Sequence, residues 1–270
     1  MKKFLLLIIL LGFFKTPEAQ NLFQAKKENM NGRDFNVCKK LQGDVLFYLV
    51  WAETRQSYQW TNYDINSTLD SMNVAIKWIE NMATQNNIKL KIRLDYYQSD
   101  TSKTVYQNFS GSIKRLTNKE EGIIAVNKWT DKVVRTATGL KNRERFIAKL
   151  RDEYNVENVA LIFMINNYFK SDYSFSLNTT SETDVEYSII SSKRPGIMLH
   201  EILHLFGAQY LYYHPSCTDK QLRRQLQAKF PNDIMAYPEK EIISLTVGDV
   251  TKYFIGWSDK LDEQYEKLLK

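Results

Sequence analysis

The chain of 270 residues is sparing with the side chains that carry most chemistry: it has three histidines and two cysteines. It also lacks any block of like charge. Basic residues alternate with acidic ones along its length, so the electrostatic footprint of a nucleic-acid-binding protein is absent, and no nucleic acid is expected as a partner. No internal repeat and no low-complexity linker interrupts it. Beyond residues 4–14 there is no long apolar run, so the mature chain is expected to have no stable membrane span. What remains is ordinary for a globular protein. A hydrophobic fraction of 43% and a charged fraction of 25% are enough for a sizeable core, in one domain of two lobes.

The N-terminus reads as an export signal. "MKK" is a positive start and "FLLLIILLGFF" an apolar core too short to span a bilayer comfortably. Cleavage after Ala19 would remove residues 1–19, although Pro17 stands where a small residue is expected. A retained anchor is the alternative. No cysteine directly follows the apolar stretch, so a lipoprotein anchor is not expected. Loss of Lys2, Lys3, Lys15 and Glu18 would lower the formal charge from +6 to +4. The expected location is secreted or periplasmic, and there a single pair of cysteines is most simply a disulfide, Cys38 with Cys217.

Residues 20–43 are polar and read as an extended leader before a domain spanning 44–270. "DVLFYLVWAET" (44–54) and "VENVALIFMIN" (156–166) read as buried strands, and "IKLKIRLDYY" (88–97) as a strand with one solvated face. Residues 66–87 carry apolar positions at helical spacing, with Ser67 or Thr68 as the cap. Residues 122–138 fit strand or helix, and 140–155 form an amphipathic helix. Two alternating stretches, 173–178 and 184–191, make a hairpin at a sheet edge. An apolar helix over 194–207 ends at Gly207. Helices follow over 219–230 and 246–257, with a tight turn, "PNDIMAYPE", between them. This order predicts an α+β fold: a mixed, twisted sheet with helices in an upper lobe (44–207), then a smaller, mainly helical and irregular lower lobe (208–270).

All three histidines lie in "HEILHLFGAQYLYYHP" (200–215). On a helix, His200 and His204 share one face and can converge on one ion. Zinc accepts imidazole nitrogen at about 2.0–2.1 Å in a tetrahedral arrangement. Glu201, one step round the helix, can reach a water on the metal without binding the metal itself. It would take a proton from that water and deliver it to a leaving amine. The neighbours Ile197, Met198, Leu199, Ile202, Leu203, Leu205 and Phe206 require this helix to be buried. Three polar side chains there would cost several kcal/mol without partners, which a metal supplies.

"HEILHLFG" resembles the first eight positions of the metzincin metalloprotease signature, H-E-x-x-H-x-x-G. The resemblance covers residues 184–240 and implies a zincin fold. Its glycine turns the chain, and its third ligand comes three residues later. Its Met-turn floors the metal. "NDIMAY" is similar to that turn, with Met235 in the floor position. Tyr237 matches a tyrosine that, in astacin-like and serralysin-like members, swings between the metal and the transition-state oxyanion. The strand running into the active-site helix, here 184–191, would receive an extended peptide by sheet addition.

The departure lies at Tyr210, where the family has His or Asp. Three arrangements are open: His214 completes the metal site, Tyr210 binds as phenolate, or two histidines stand without a third ligand. Glu239 or Glu241 is a further carboxylate alternative, and Asp34 or Cys38 could cap the metal in a latent form. The expectation is a secreted Zn2+-dependent endopeptidase acting on a peptide or protein substrate in extended conformation. His200, His204 and His214 would be its ligands, Glu201 its base and Tyr237 its stabiliser. A secreted binding protein with a degenerate metal site on the same scaffold is the alternative.

Overall fold

The computed structural model describes residues 38, 40–109, 120–167, 174–177, 185–212 and 220–265. The expected signal peptide, Asp34, His214 and Cys217 lie outside the described residues.

The two dense apolar runs are adjacent central strands because both faces of each are covered, which removes the in-out alternation of a half-solvated strand. The strands are β1 (Gly43–Glu53), β2 (Leu90–Tyr96), β3 (Thr104–Tyr106), β4 (Asn158–Ile165), β5 (Phe175–Leu177) and β6 (Tyr187–Ile190). They form one sheet in the order β2-β1-β4-β6-β5, with β3 pairing the end of β1. Every pairing is parallel except β5 with β6. The helices are α1 (Asn62–Gln85), α2 (Glu120–Thr138), α3 (Arg143–Tyr154), α4 (Pro195–Leu205), α5 (Lys220–Lys229) and α6 (Asp249–Phe254). The chain is therefore a mixed α/β fold on a mainly parallel six-stranded sheet.

Alternate residues of the central strands feed two cores. Val45, Phe47, Leu49 and Trp51 of β1, with Ala160, Ile162 and Met164 of β4, face α1 and α4. Leu46 and Val50, with Val159, Leu161 and Phe163, face α2 and α3. The segment open to either reading, 122–138, is helical: Val126, Trp129, Val133 and Val134 recur at helical spacing and are buried against the sheet.

Four details differ from the sequence expectation. Helix α1 starts earlier, capped by Thr61 in place of Ser67 or Thr68. Thr61 Oγ1 accepts from Asp64 N at 3.1 Å, while Asp64 Oδ2 accepts from Thr61 N at 3.3 Å. This reciprocal capping box satisfies two donors that a helix start leaves open. The end of the segment read as leader is packed: Cys38 and Leu41 are fully buried, and Leu41 exchanges bonds with Ile255 O and Trp257 Nε1. Cys38 is a free thiol whose Sγ donates to Val159 O at 3.3 Å, in place of the expected disulfide. Finally, the strand running into α4 is not the edge. β6 is buried throughout between β4 and β5, and among the described residues β5 is the last strand.

One core passes from the sheet beneath α4 into the lower segment, where Ile234, Met235, Val250, Phe254 and Trp257 join it. Among the described residues no helix is long and apolar enough to cross a membrane.

Candidate metal centre

Helix α4 presents His200, Glu201 and His204 within a nearly all-apolar sequence, and all three are buried. The helix ends in a Schellman motif. Ala208 N donates to Leu203 O at 3.1 Å, Gly207 N donates to His204 O at 3.0 Å, and Gly207 takes φ 93°. That conformation favours glycine and reverses the chain at once. The reversal brings the carbonyl of Ala208 back to His204 Nδ1, at 2.6 Å. On the other imidazole, His200 Nδ1 meets the carbonyl of Ile234 at 3.1 Å.

A carbonyl only accepts, so each Nδ1 carries a proton, and in a neutral ring the lone pair is then the one at Nε2. These two Nε2 atoms lie 3.2 Å apart. A proton on one Nε2 makes this contact an N–H···N hydrogen bond, and a cation held between the two nitrogens satisfies it equally. Two nitrogens about 2.0–2.1 Å from one tetrahedral ion stand roughly 3.3–3.4 Å apart, so the pair has the span of two zinc ligands. The donor chemistry, tautomers and spacing of His200 and His204 all fit the metal.

The third position is different. Tyr210 holds the signature slot with its ring centroid 4.2 Å from that of His204 and 5.7 Å from that of His200. Tyr212, which the sequence pattern did not single out, stacks on His200 at 6.1 Å. The segment is pinned from both sides: Arg223 Nη1 donates to Tyr210 O, and Leu211 N donates to Met235 O at 3.0 Å. His214 lies outside the described residues. Glu239 and Glu241 are exposed, and among the described residues no group of three His, Cys, Asp or Glu is placed to hold a metal. The two carboxylates therefore do not complete the site.

Glu201 is shut away from solvent, and burial pushes its carboxyl up to about 8, with a hydrogen bond from Ser176 opposing the rise. Ser176, on β5, sits 3.0 Å from Glu201 Oε2, 2.5 Å from the Glu201 carbonyl and 2.7 Å from Ser188 Oγ. The edge strand thus grips the acidic residue of α4 by both side chain and backbone. Sequence reading missed Ser176; its one signal was a small polar residue at an inward position of an alternating strand.

Met235 is fully buried in the core that lies against α4. Tyr237 is half-buried with its ring 4.5 Å from Lys240 Nζ, and its backbone N–H donates to Asp233 O. No bond from Tyr237 to either imidazole is seen among the described residues. Comparison of the chain with protein-family models and with curated proteins finds no match.

Proposed function

We propose that the protein is an exported Zn2+-dependent endopeptidase of metzincin type. The observation that carries this reading is the pair of carbonyl-capped imidazoles whose Nε2 atoms face each other at 3.2 Å. A bound zinc would supply Lewis acidity towards water and towards a peptide carbonyl. Glu201 would take the proton of the attacking water and pass it to the departing amine, and Ser176 would hold its carboxylate in place. An extended peptide would add alongside β5, the last strand of the sheet among the described residues and the one that touches Glu201. His214 is the proposed third ligand and Tyr237 the proposed oxyanion stabiliser.

One observation favours the second reading, a binding protein with a degenerate site: the third-ligand slot is filled by Tyr210, packed on His204. Hydrolysis of an unfolded protein, measured with the zinc-loaded wild type and with Glu201→Gln, separates the two. The endopeptidase reading requires cleavage by the wild type and its loss, by a factor of about 100 or more, in a variant that still binds zinc. A wild type that holds zinc and cleaves nothing supports the degenerate site.

A further inference from the structure

The turn beneath the histidines is built round a carboxylate that the proposed chemistry does not use. Asp233 is fully buried. Its Oδ1 accepts from Met235 N at 2.7 Å and from Thr251 Oγ1 at 3.0 Å, and its Oδ2 accepts from Gly248 N at 2.6 Å. Its carbonyl takes the N–H groups of Ala236 at 2.9 Å and Tyr237 at 3.0 Å. Ile234, the next residue, donates to Thr246 O at 3.1 Å. A buried carboxylate is costly, and three donors converge here to offset that cost.

These bonds matter to the metal centre through one peptide plane. The Ile234 carbonyl and the Met235 N–H belong to the same planar trans peptide and point in opposite directions. Asp233 Oδ1 holds the N–H end, and the carbonyl end meets His200 Nδ1 at 3.1 Å. Fixing one end of the plane aims the other. The second imidazole is supported independently, since Ala208 faces His204 because of the Gly207 turn. Gly248 marks how tightly the carboxylate is held: a Cβ there would stand 2.7 Å from Asp233 Oδ2.

We propose that Asp233 is the positioning residue for His200, acting through the Ile234 carbonyl to fix the Nδ1–H tautomer and so present Nε2 for metal binding. The proposal rests on the metal-centre reading, but the tautomer can be measured without metal. The experiment uses the full chain labelled with 15N-histidine and records the ring nitrogens of His200 and His204 in the metal-free state, followed by a zinc titration. In Asp233→Ala, His200 loses its fixed Nδ1–H tautomer while His204 keeps its own, and zinc affinity falls about 10- to 100-fold. Gly248→Ala crowds Oδ2 and shifts His200 in the same direction by less, and it serves if the alanine variant does not fold. The proposal is overturned if both histidines keep their tautomers in a folded variant. It is equally overturned if both change together, since general loosening would do that. A wild type with both tautomers set that takes up no zinc refutes the metal centre and leaves the Asp233 assignment standing.

Discussion

At the scale of single residues, Glu201 ties burial to acidity. Its carboxyl is raised from 4.5 to about 8 in the folded chain. The folded state therefore holds a proton that the unfolded chain releases at lower pH, and the resulting stabilisation is complete below about 4.5 and lost as pH rises through 8. The shift corresponds to roughly 5 kcal/mol. Metal-free protein should accordingly melt at a clearly lower temperature at about pH 8 than at about pH 5. Glu201→Gln should flatten that slope, as should zinc, whose charge favours the ionised carboxylate. A slope unchanged in Glu201→Gln, followed by thermal denaturation, would assign it to another group. Ser176 is the natural companion test. With zinc bound and Glu201 ionised, removing its hydroxyl takes away one bond to a charged group, worth about 1.5–3 kcal/mol. Ser176→Ala should lower kcat about tenfold or more and leave zinc content unchanged, read by steady-state kinetics beside metal analysis.

At the scale of elements, the end of α4 sets the geometry of the site. Gly207 at φ 93° lies where a side chain costs about 1–2 kcal/mol. Gly207→Ala should lower stability by that amount. It should also weaken zinc binding, because the strained turn moves the Ala208 carbonyl off His204 Nδ1. Denaturant unfolding and a zinc titration check the two effects. Helix α4 was legible in the sequence because an apolar helix tolerates buried His and Glu only where something partners them, and Gly207 marked its end. The central strands were legible for a related reason, since runs such as "DVLFYLVWAE" are buried on both faces. What stayed hidden depended on contacts distant in the chain. Thr61 caps α1 because Asp64 reciprocates, and Asp64 also pairs with Lys193 at 2.7 Å, far along the sequence. The edge position of β5 follows from pairing order, which alternation alone does not encode. Asp233 looked like an ordinary turn residue, because the groups that converge on it, Gly248 and Thr251, come from the start of α6.

At the scale of the whole molecule, the two lobes expected to meet at Gly207 share one core. Residues 38–43 tie into it: Trp257 Nε1 reaches Leu41 O at 2.6 Å, and Cys38 N donates to Glu186 Oε1 at 2.8 Å. Burial, with Glu186 nearby, pushes the Cys38 thiol well above its usual value. Cys38 should resist thiol reagents in the native protein and react once it is unfolded, as peptide mapping after labelling would report. A Cys38–Cys217 crosslink in the unreduced protein would contradict this. The core brings α4 and the turn at 233–237 together at His200 and His204, where a shared zinc is proposed. Zinc content per chain measures it most directly. Wild-type protein should carry one tightly bound zinc, lost in both His200→Ala and His204→Ala while the variants remain folded. A wild type that binds no zinc at micromolar supply, or variants that keep it, would rule out a metal shared by His200 and His204.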